Sequence, residues 1–188
     1  MMGSYHVKVT LGLCVKNNEK TISTTLQSIC NQSYPFYCTE LVVVDGMSRD
    51  NTLSIIRDYL ESNAKFEYMI LSDEGKGLAY ARQMVLDNSN SGFIVWVDGD
   101  HILPKNYVQR QIDFMLKNPE LGAAEAITFP APNSNWIAKL EGCTWTVYGL
   151  KRIGRYLSSV GSAGVIYRKR ARMETSAGEL SNKAGNYP

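Results

Sequence analysis

Two short apolar runs, each closed by an aspartate, constrain the fold of this chain most strongly. Leu41-Val42-Val43-Val44 leads into Asp45, and Gly92-Phe93-Ile94-Val95-Trp96-Val97 leads into Asp98. Runs of this length, apolar at nearly every position, read as strands covered on both faces, as in a parallel sheet. Upstream, Val7, Val9, Leu11, Leu13 and Val15 alternate with Lys8, Thr10, Gly12 and Cys14, a period-two strand with one mixed face. Residues 66–71 form a further short strand. Helical spacing fills the intervals: Ile22, Leu26 and Ile29; then Leu53, Ile56 and Leu60; then Leu78, Ala81, Val85 and Leu86. The resulting alternation of strand and helix predicts an α/β fold, a mostly parallel sheet flanked by helices. In such sheets ligands bind beyond the carboxyl ends of the strands. Asp45 and Asp98 are therefore expected to face one crevice.

Local signals set the element ends. Asn17 or Asn18 can cap a helix opening with Glu19, and Asn31-Gln32-Ser33-Tyr34-Pro35 stops it. Ser48 or Asp50 can cap the next helix, which runs to about Leu60. Pro104 suits the first turn of a helix carrying Val108, Ile112 and Met115 on its apolar side. Residues 123–129 read as a strand. Residues 136–150 read as a helix with Ile137, Leu140, Thr144 and Val147 on one side. Residues 158–167 read as a glycine-broken loop and strand, and the last twenty residues as poorly packed. No internal repeat, low-complexity segment or linker interrupts the chain.

Composition narrows the class. At 188 residues the chain suits one domain with a sizeable core. A net charge of +2 gives no argument for a nucleic-acid partner. No apolar run approaches the ~18 residues of a membrane span, and the first residues lack the apolar core of a signal peptide. Cys14, Cys30, Cys38 and Cys143 have no C-x-x-C spacing and read as reduced thiols of a cytoplasmic protein. Gly75-Lys76-Gly77 is not a P-loop, and no G-x-G-x-x-G follows the first strand, which speaks against a dinucleotide enzyme.

The chemistry centres on Asp98-Gly99-Asp100. Two carboxylates one residue apart, at the end of a buried strand, resist burial unless something neutralises them. A hard divalent cation with oxygen ligands, Mg2+ or Mn2+, fits; a solvated turn is the alternative. Lys76 and Arg82 lie before and on a helix whose start faces the same crevice, where cations and helix N-termini suit phosphate. His101 reads as a surface residue, and Asp50 as a helix cap or a site residue. Trp136, Trp145 and Tyr148 read as core or interface aromatics before sugar-stacking ones. Lys151, Arg152, Arg155, Arg168, Lys169, Arg170 and Arg172 make the second half basic, a solvated face or a contact for an anionic lipid surface.

Five segments stand in a familiar order: Val15-Lys16-Asn17-Asn18-Glu19; Asn31-Gln32-Ser33-Tyr34-Pro35; Leu41 through Thr52; Gly75-Lys76-Gly77 with Ala81-Arg82; and Asp98-Gly99-Asp100. Over about residues 7 to 170 the chain resembles a family 2 glycosyltransferase with the GT-A fold. The resemblance implies a single catalytic domain over residues 1–188. Its nucleotide-sugar half would be about 1–103 and its acceptor half about 104–188, the latter cut short at the C-terminus. It also implies a metal-dependent, inverting transfer of a sugar from a UDP- or GDP-sugar to an acceptor hydroxyl, on a glycan or a lipid-linked acceptor, at the cytoplasmic side of a membrane with peripheral contact. Asp100 would touch the Mn2+ or Mg2+, and Asp98 would lie nearer the ribose or a metal-bound water. Asp45 would accept a hydrogen bond from the nucleobase, with the backbone of Val15 beside it. Glu19, Lys76 and Arg82 would complete the nucleotide site, and Gly161-Ser162-Ala163-Gly164 would be the acceptor-side loop.

Two departures from the family pattern stand out. Asp45-Gly46 carries one acid where two are common. The catalytic carboxylate that usually follows a glycine-rich turn has no good match, since Glu174 and Glu179 are the only late acids. The base is thus expected beyond Pro188; alternatively, the chain is a non-catalytic nucleotide-sugar binding module. A haloacid dehalogenase phosphatase also uses Asp-x-Asp, but after its first strand, whereas this pair follows the fourth.

Overall fold

The computed structural model describes residues 7–130, 135–155 and 164–170. Within them the order is β1 (Val9–Val15), α1 (Ile22–Cys30), β2 (Thr39–Asp45), α2 (Thr52–Asn63), β3 (Glu67–Ser72), α3 (Leu78–Asn88), β4 (Phe93–Asp98), α4 (Tyr107–Lys117), β5 (Ala123–Glu125), α5 (Trp136–Leu150) and β6 (Val165–Arg168). The strands form one sheet in the order β3-β2-β1-β4-β6-β5. The first four are parallel to one another, while β6 runs antiparallel to both β4 and β5.

The period-two pattern sorts the side chains into two layers. On one face Val9, Leu11, Leu13 and Val15 join Leu41, Val43, Phe93, Val95 and Val97. Against them pack Ile22, Leu26 and Ile29 of α1, Ile56 and Leu60 of α2, and Val108, Ile112 and Met115 of α4. The opposite face holds Val42, Val44, Ile94 and Trp96 under Ala81, Val85 and Leu86 of α3. Each fully buried Leu or Ile in these layers contributes ~1.5–3 kcal/mol. The mixed face of β1 follows from its neighbours. An added Cβ on Gly12 would stand 2.8 Å from both the Trp96 ring and Val85, so only a residue without a side chain lets α3 approach.

Several element ends differ from the sequence expectation. Helix α1 opens at Ile22 rather than Glu19, and neither Asn17 nor Asn18 caps it through its side chain. Asn17 sits at φ 54. Both amide oxygens are taken elsewhere, Asn17 Oδ1 by the Arg49 N–H of a sequence-distant loop at 2.9 Å and Asn18 Oδ1 by the Lys16 N–H at 3.0 Å. The Asn18 carbonyl closes the first turn instead, accepting from the N–H groups of Thr21 and Ile22. Leu78, assigned to the apolar side of α3, is 54% exposed because it lies in the first turn, outside the sheet's footprint. Helix α4 starts at Tyr107, one turn beyond Pro104. The strand expected over 123–129 pairs only through Glu125, and 158–163 lie outside the described residues. Trp136, Trp145 and Tyr148 are exposed rather than core.

Candidate functional site

The sheet register brings the chemistry to one edge. Cys14 of β1 lies opposite Val44 of β2 and Asp98 of β4, and Val15 lies opposite Asp45. Asp45 and Asp98 thus end the two strands flanking β1. Arg82 reaches the same place from α3, with its guanidinium over the Trp96 ring and Nη2 3.9 Å from Asp98 Oδ1. His101 Nε2 lies 3.9 Å from Asp98 Oδ2. Burial pushes the Asp98 carboxyl above its ordinary pKa; the charges of His101 and Arg82 oppose the shift, and Asp100 adds to it. Beneath it, burial pushes the Cys14 thiol up to about 12, so that this floor residue stays neutral.

Asp98-Gly99-Asp100 is held from below by α1. The Gly99 carbonyl accepts hydrogen bonds from the hydroxyls of Thr21 at 2.8 Å and Thr25 at 3.1 Å. A Cβ on Gly99 would stand 2.7 Å from Asn18 Cγ. The turn closes with the His101 N–H on the Asp98 carbonyl at 3.1 Å, leaving Asp100 exposed. No group of three or more His, Cys, Asp or Glu that could hold a metal occurs among the described residues. The oxygen donors of Asp98 and Asp100 nevertheless fit Mg2+ or Mn2+. Such ions keep several waters and commonly bind through one or two carboxylates plus substrate phosphates.

The nucleotide side is built from two interlocked loops. Asp45 is buried, and its carboxylate accepts from the Ser48 N–H and from the Ser48 hydroxyl at 2.5 Å. The Val15 carbonyl accepts from the Gly46 N–H at 2.8 Å. Ser48 Oγ in turn accepts from the Asn17 N–H, Thr52 Oγ1 accepts from the Asn18 N–H, and Asp50 Oδ2 accepts from the Glu19 N–H. Asp50 therefore braces the loops and also receives the N–H and hydroxyl of Thr52.

Of the residues predicted from sequence, Val15, Asp45, Arg82, Asp98 and Asp100 converge on this edge. Glu19 and Lys76 are engaged differently. Glu19 Oε2 accepts from both nitrogens of Asn51, each at 3.1 Å, so this carboxylate ties the loops together. Lys76 is exposed, with Nζ 2.9 Å from Glu74 Oε2 and 4.6 Å from the centre of the Tyr80 ring.

Sequence reasoning missed Thr21, Thr25 and Asp73. Asp73 is 2% exposed and receives the Gly75 N–H at 2.7 Å and the Gly77 N–H at 3.0 Å on its carboxylate. Its own N–H donates to the Asp45 carbonyl at 3.1 Å. Glu74, Gly75 and Gly77 all have positive φ, so Asp73 anchors a tightly wound entry to α3. The Gly-x-Gly two residues downstream was the available signal.

The model of the family described as "Glycosyl transferase family 2" matches residues 10–171. A curated relative from Escherichia coli, UDP-Glc:alpha-D-GlcNAc-diphosphoundecaprenol beta-1,3-glucosyltransferase WfgD, is 35% identical over 54% of this chain and 38% of its own. The poly-beta-1,6-N-acetyl-D-glucosamine synthase of Staphylococcus epidermidis is 28% identical over 82% of this chain and 35% of its own. Among solved structures, the Pyrobaculum calidifontis mannosyltransferase PcManGT in complex with GDP-Man and Mn2+ superposes with a TM-score of 0.75 at 20% identity, over 93% of this chain and 48% of that one. S. aureus TarS 1-349 in complex with UDP-GlcNAc gives 0.64 at 20% identity, over 90% and 47%. The chain thus spans between about a third and a half of these proteins. These structures share its GT-A fold. With the family model covering most of its length, the chain belongs to glycosyl transferase family 2.

Proposed function

We propose that the chain takes part in a metal-dependent, inverting transfer of a sugar from a UDP- or GDP-sugar to an acceptor hydroxyl on a glycan or lipid-linked acceptor. The observation that carries this reading is the register that sets Asp45 and Asp98 on either side of the end of β1, with Arg82 beside Asp98. In this reading residues 1–103 bind the donor, and 104–188 form the acceptor side. The nucleobase and ribose lie along Val15 and Asp45, whose carboxylate is held by Ser48 and keeps acceptor capacity for a base N–H. Glu19 acts through the loop it ties to Asn51, and Lys76 and Arg82 supply positive charge to the diphosphate. Asp98 and Asp100 would hold Mn2+ or Mg2+, which neutralises the diphosphate and stabilises the leaving nucleoside diphosphate. The names of the relatives support this assignment: one works with UDP-Glc and a diphosphoundecaprenol-linked sugar, and one solved structure holds GDP-Man and Mn2+.

The test is a titration of UDP and GDP with and without Mn2+, followed by calorimetry or thermal shift. Metal-dependent binding that disappears in Asp98→Ala and Asp100→Ala is expected; unchanged binding in both variants would overturn the reading. A second reading is nucleotide-sugar binding without turnover: every side chain assigned above faces the donor, and none is assigned as the base that takes the acceptor proton. Donor turnover with any acceptor hydroxyl distinguishes it from the first.

A further inference from the structure

The motif Asn31-Gln32-Ser33-Tyr34-Pro35 follows α1, and its side chains lie outside the cluster around Asp45 and Asp98. Helix α1 buries Ile22, Leu26 and Ile29 against the sheet. Thr21, Thr25, Ser28 and Gln32 stand at i, i+4, i+7 and i+11, a second stripe that starts at the head of α1 and ends just past its last turn. Thr25 and Ser28 are buried, so their hydroxyls need partners inside the protein. The stripe meets the connection from Gly99 to Asn106, which is neither helix nor strand and has no ladder of its own for its backbone groups. Thr21 and Thr25 donate to the Gly99 carbonyl. The Ser28 hydroxyl accepts from the Leu103 N–H at 3.0 Å. Gln32 takes the far end. Its amide nitrogen donates to the Pro104 carbonyl at 2.9 Å, and its amide oxygen accepts from the Val108 N–H at 3.0 Å. The Ser33 N–H adds a bond to the Lys105 carbonyl at 2.8 Å.

The chemistry of the two contacts explains the residue type. Pro104 offers an acceptor and Val108 a donor, and an amide carries the counterpart of each. The bond to Val108 also closes the first turn of α4, whose N-cap residue Asn106 makes no side-chain bond to it. The connection is thereby pinned at Gly99, Leu103, Pro104 and Val108. Asp100 lies between the first two of these points and is exposed, so the backbone on either side of it decides where its carboxylate stands. Releasing Pro104 and Val108 loosens the downstream support and leaves the upstream one, on Gly99, in place.

We propose that Gln32 is a positioning residue for donor binding: it fixes the connection after Asp98-Gly99-Asp100 against α1, and so sets where Asp100 meets a cation. This rests on the reading of Asp98 and Asp100 as the ligands of that cation. Gln32→Met keeps the length of the side chain and removes its bonds to Pro104 and Val108. Titrations of UDP and GDP with and without Mn2+ read the effect on the 188-residue chain. The gain in affinity that Mn2+ brings should fall by about tenfold, the low end for groups that orient metal ligands. Metal-free affinity should stay at the parent value, because the loops around Val15 and Asp45 are braced separately by Ser48, Thr52 and Asp50. Hydrogen exchange at His101 and Leu103, measured without nucleotide, should speed up. Ser28→Ala removes one bond of the same stripe and should show the same pattern more weakly. Tyr34→Phe, in the same motif, loses a bond to the Val7 carbonyl beyond the opposite end of β1 and should leave the Mn2+ gain intact. Four results would overturn the proposal: an intact Mn2+ gain in Gln32→Met, a loss that is equal with and without Mn2+, the same loss in Tyr34→Phe, or unchanged exchange at His101 and Leu103. A parent protein whose nucleotide affinity ignores Mn2+ would overturn the cation reading and this proposal with it, a failure told apart because it precedes any substitution.

Discussion

Thr21 donates its hydroxyl to the carbonyl of Gly99 at 2.8 Å, so the start of the first helix holds the turn between Asp98 and Asp100. Thr25, one helical turn on, donates to the same oxygen. Replacing both by valine keeps the shape and removes both donors, at a cost of ~1–3 kcal/mol in a denaturant titration. The metal-dependent part of nucleotide affinity should fall further, by about 10- to 100-fold, because the groups that orient metal ligands matter nearly as much as the ligands. Either single variant retains one bond and should show a smaller loss on both readouts.

Gly99→Ala tests the same turn from above. The new methyl would stand within 3 Å of Asn18 Cγ and Oδ1. Asn18 is not free to swing away without cost, because its Oδ1 receives the Lys16 N–H. Overpacking of this kind costs ~1–3 kcal/mol. Calorimetric unfolding should show that loss, together with weaker Mn2+-dependent nucleotide binding.

Asp98 gives a pH signature. Burial raises its pKa above the usual 3.8, so the native state holds this proton more tightly than the unfolded chain does. A raised folded pKa means that the stability contributed is fully present below the unfolded value and lost as pH rises through the folded one. In metal-free buffer Asp98→Asn is therefore expected to raise the thermal midpoint at neutral pH. The gain should vanish as pH falls below the ordinary carboxylate range. A lower midpoint for Asp98→Asn at neutral pH, with the loss fading toward acid pH, would show that the pairing with Arg82 and His101 outweighs burial.

Asp73→Ala removes the acceptor for the N–H groups of Gly75 and Gly77. Both glycines lie on an exposed loop, so water replaces part of the loss, and a cost of ~1–3 kcal/mol is expected. Hydrogen exchange at residues 75–77 should accelerate far more than in β2 or β4. Asp73→Asn, which keeps one oxygen acceptor, should fall between the two.

The sheet was legible because its strands are written in period two and in continuous apolar runs. Leu11, Leu13, Val43 and Val95 reach the core that their spacing assigns them. The meeting of Asp45 and Asp98 followed from parallel topology, since strands running the same way finish on the same edge. Helix starts were less legible: Asn17 and Asn18 have the right side chains for caps, but Arg49, in a loop far away in sequence, claims Asn17, and the N–H of Lys16, two residues before it, claims Asn18. Glu19 stands out by its place in a motif, but the two bonds that its Oε2 accepts from Asn51 have no mark in the sequence. Thr21 and Thr25 were invisible because a threonine in a helix carries no sequence mark of the carbonyl it will meet seventy-odd residues later. Leu78 and the large side chains of α5 erred the other way: spacing predicts which residues share a face but not whether anything packs on it.

The insertion of β6 beside β4 has a consequence for synthesis on the ribosome. The strands β3-β2-β1-β4 are complete once Asp98 has emerged, and their helices lie between them in sequence, so that part can fold while translation continues. Until Val165 to Arg168 arrive, Phe93 to Asp98 form an open border: Phe-Ile-Val-Trp-Val, apolar and without proline or charge before the aspartate. An unpaired strand of this composition invites pairing with another chain. The nascent protein would thus pass through its most adhesive state over the seventy residues or so between Asp98 and Val165, the interval in which a holding chaperone would have the most to do.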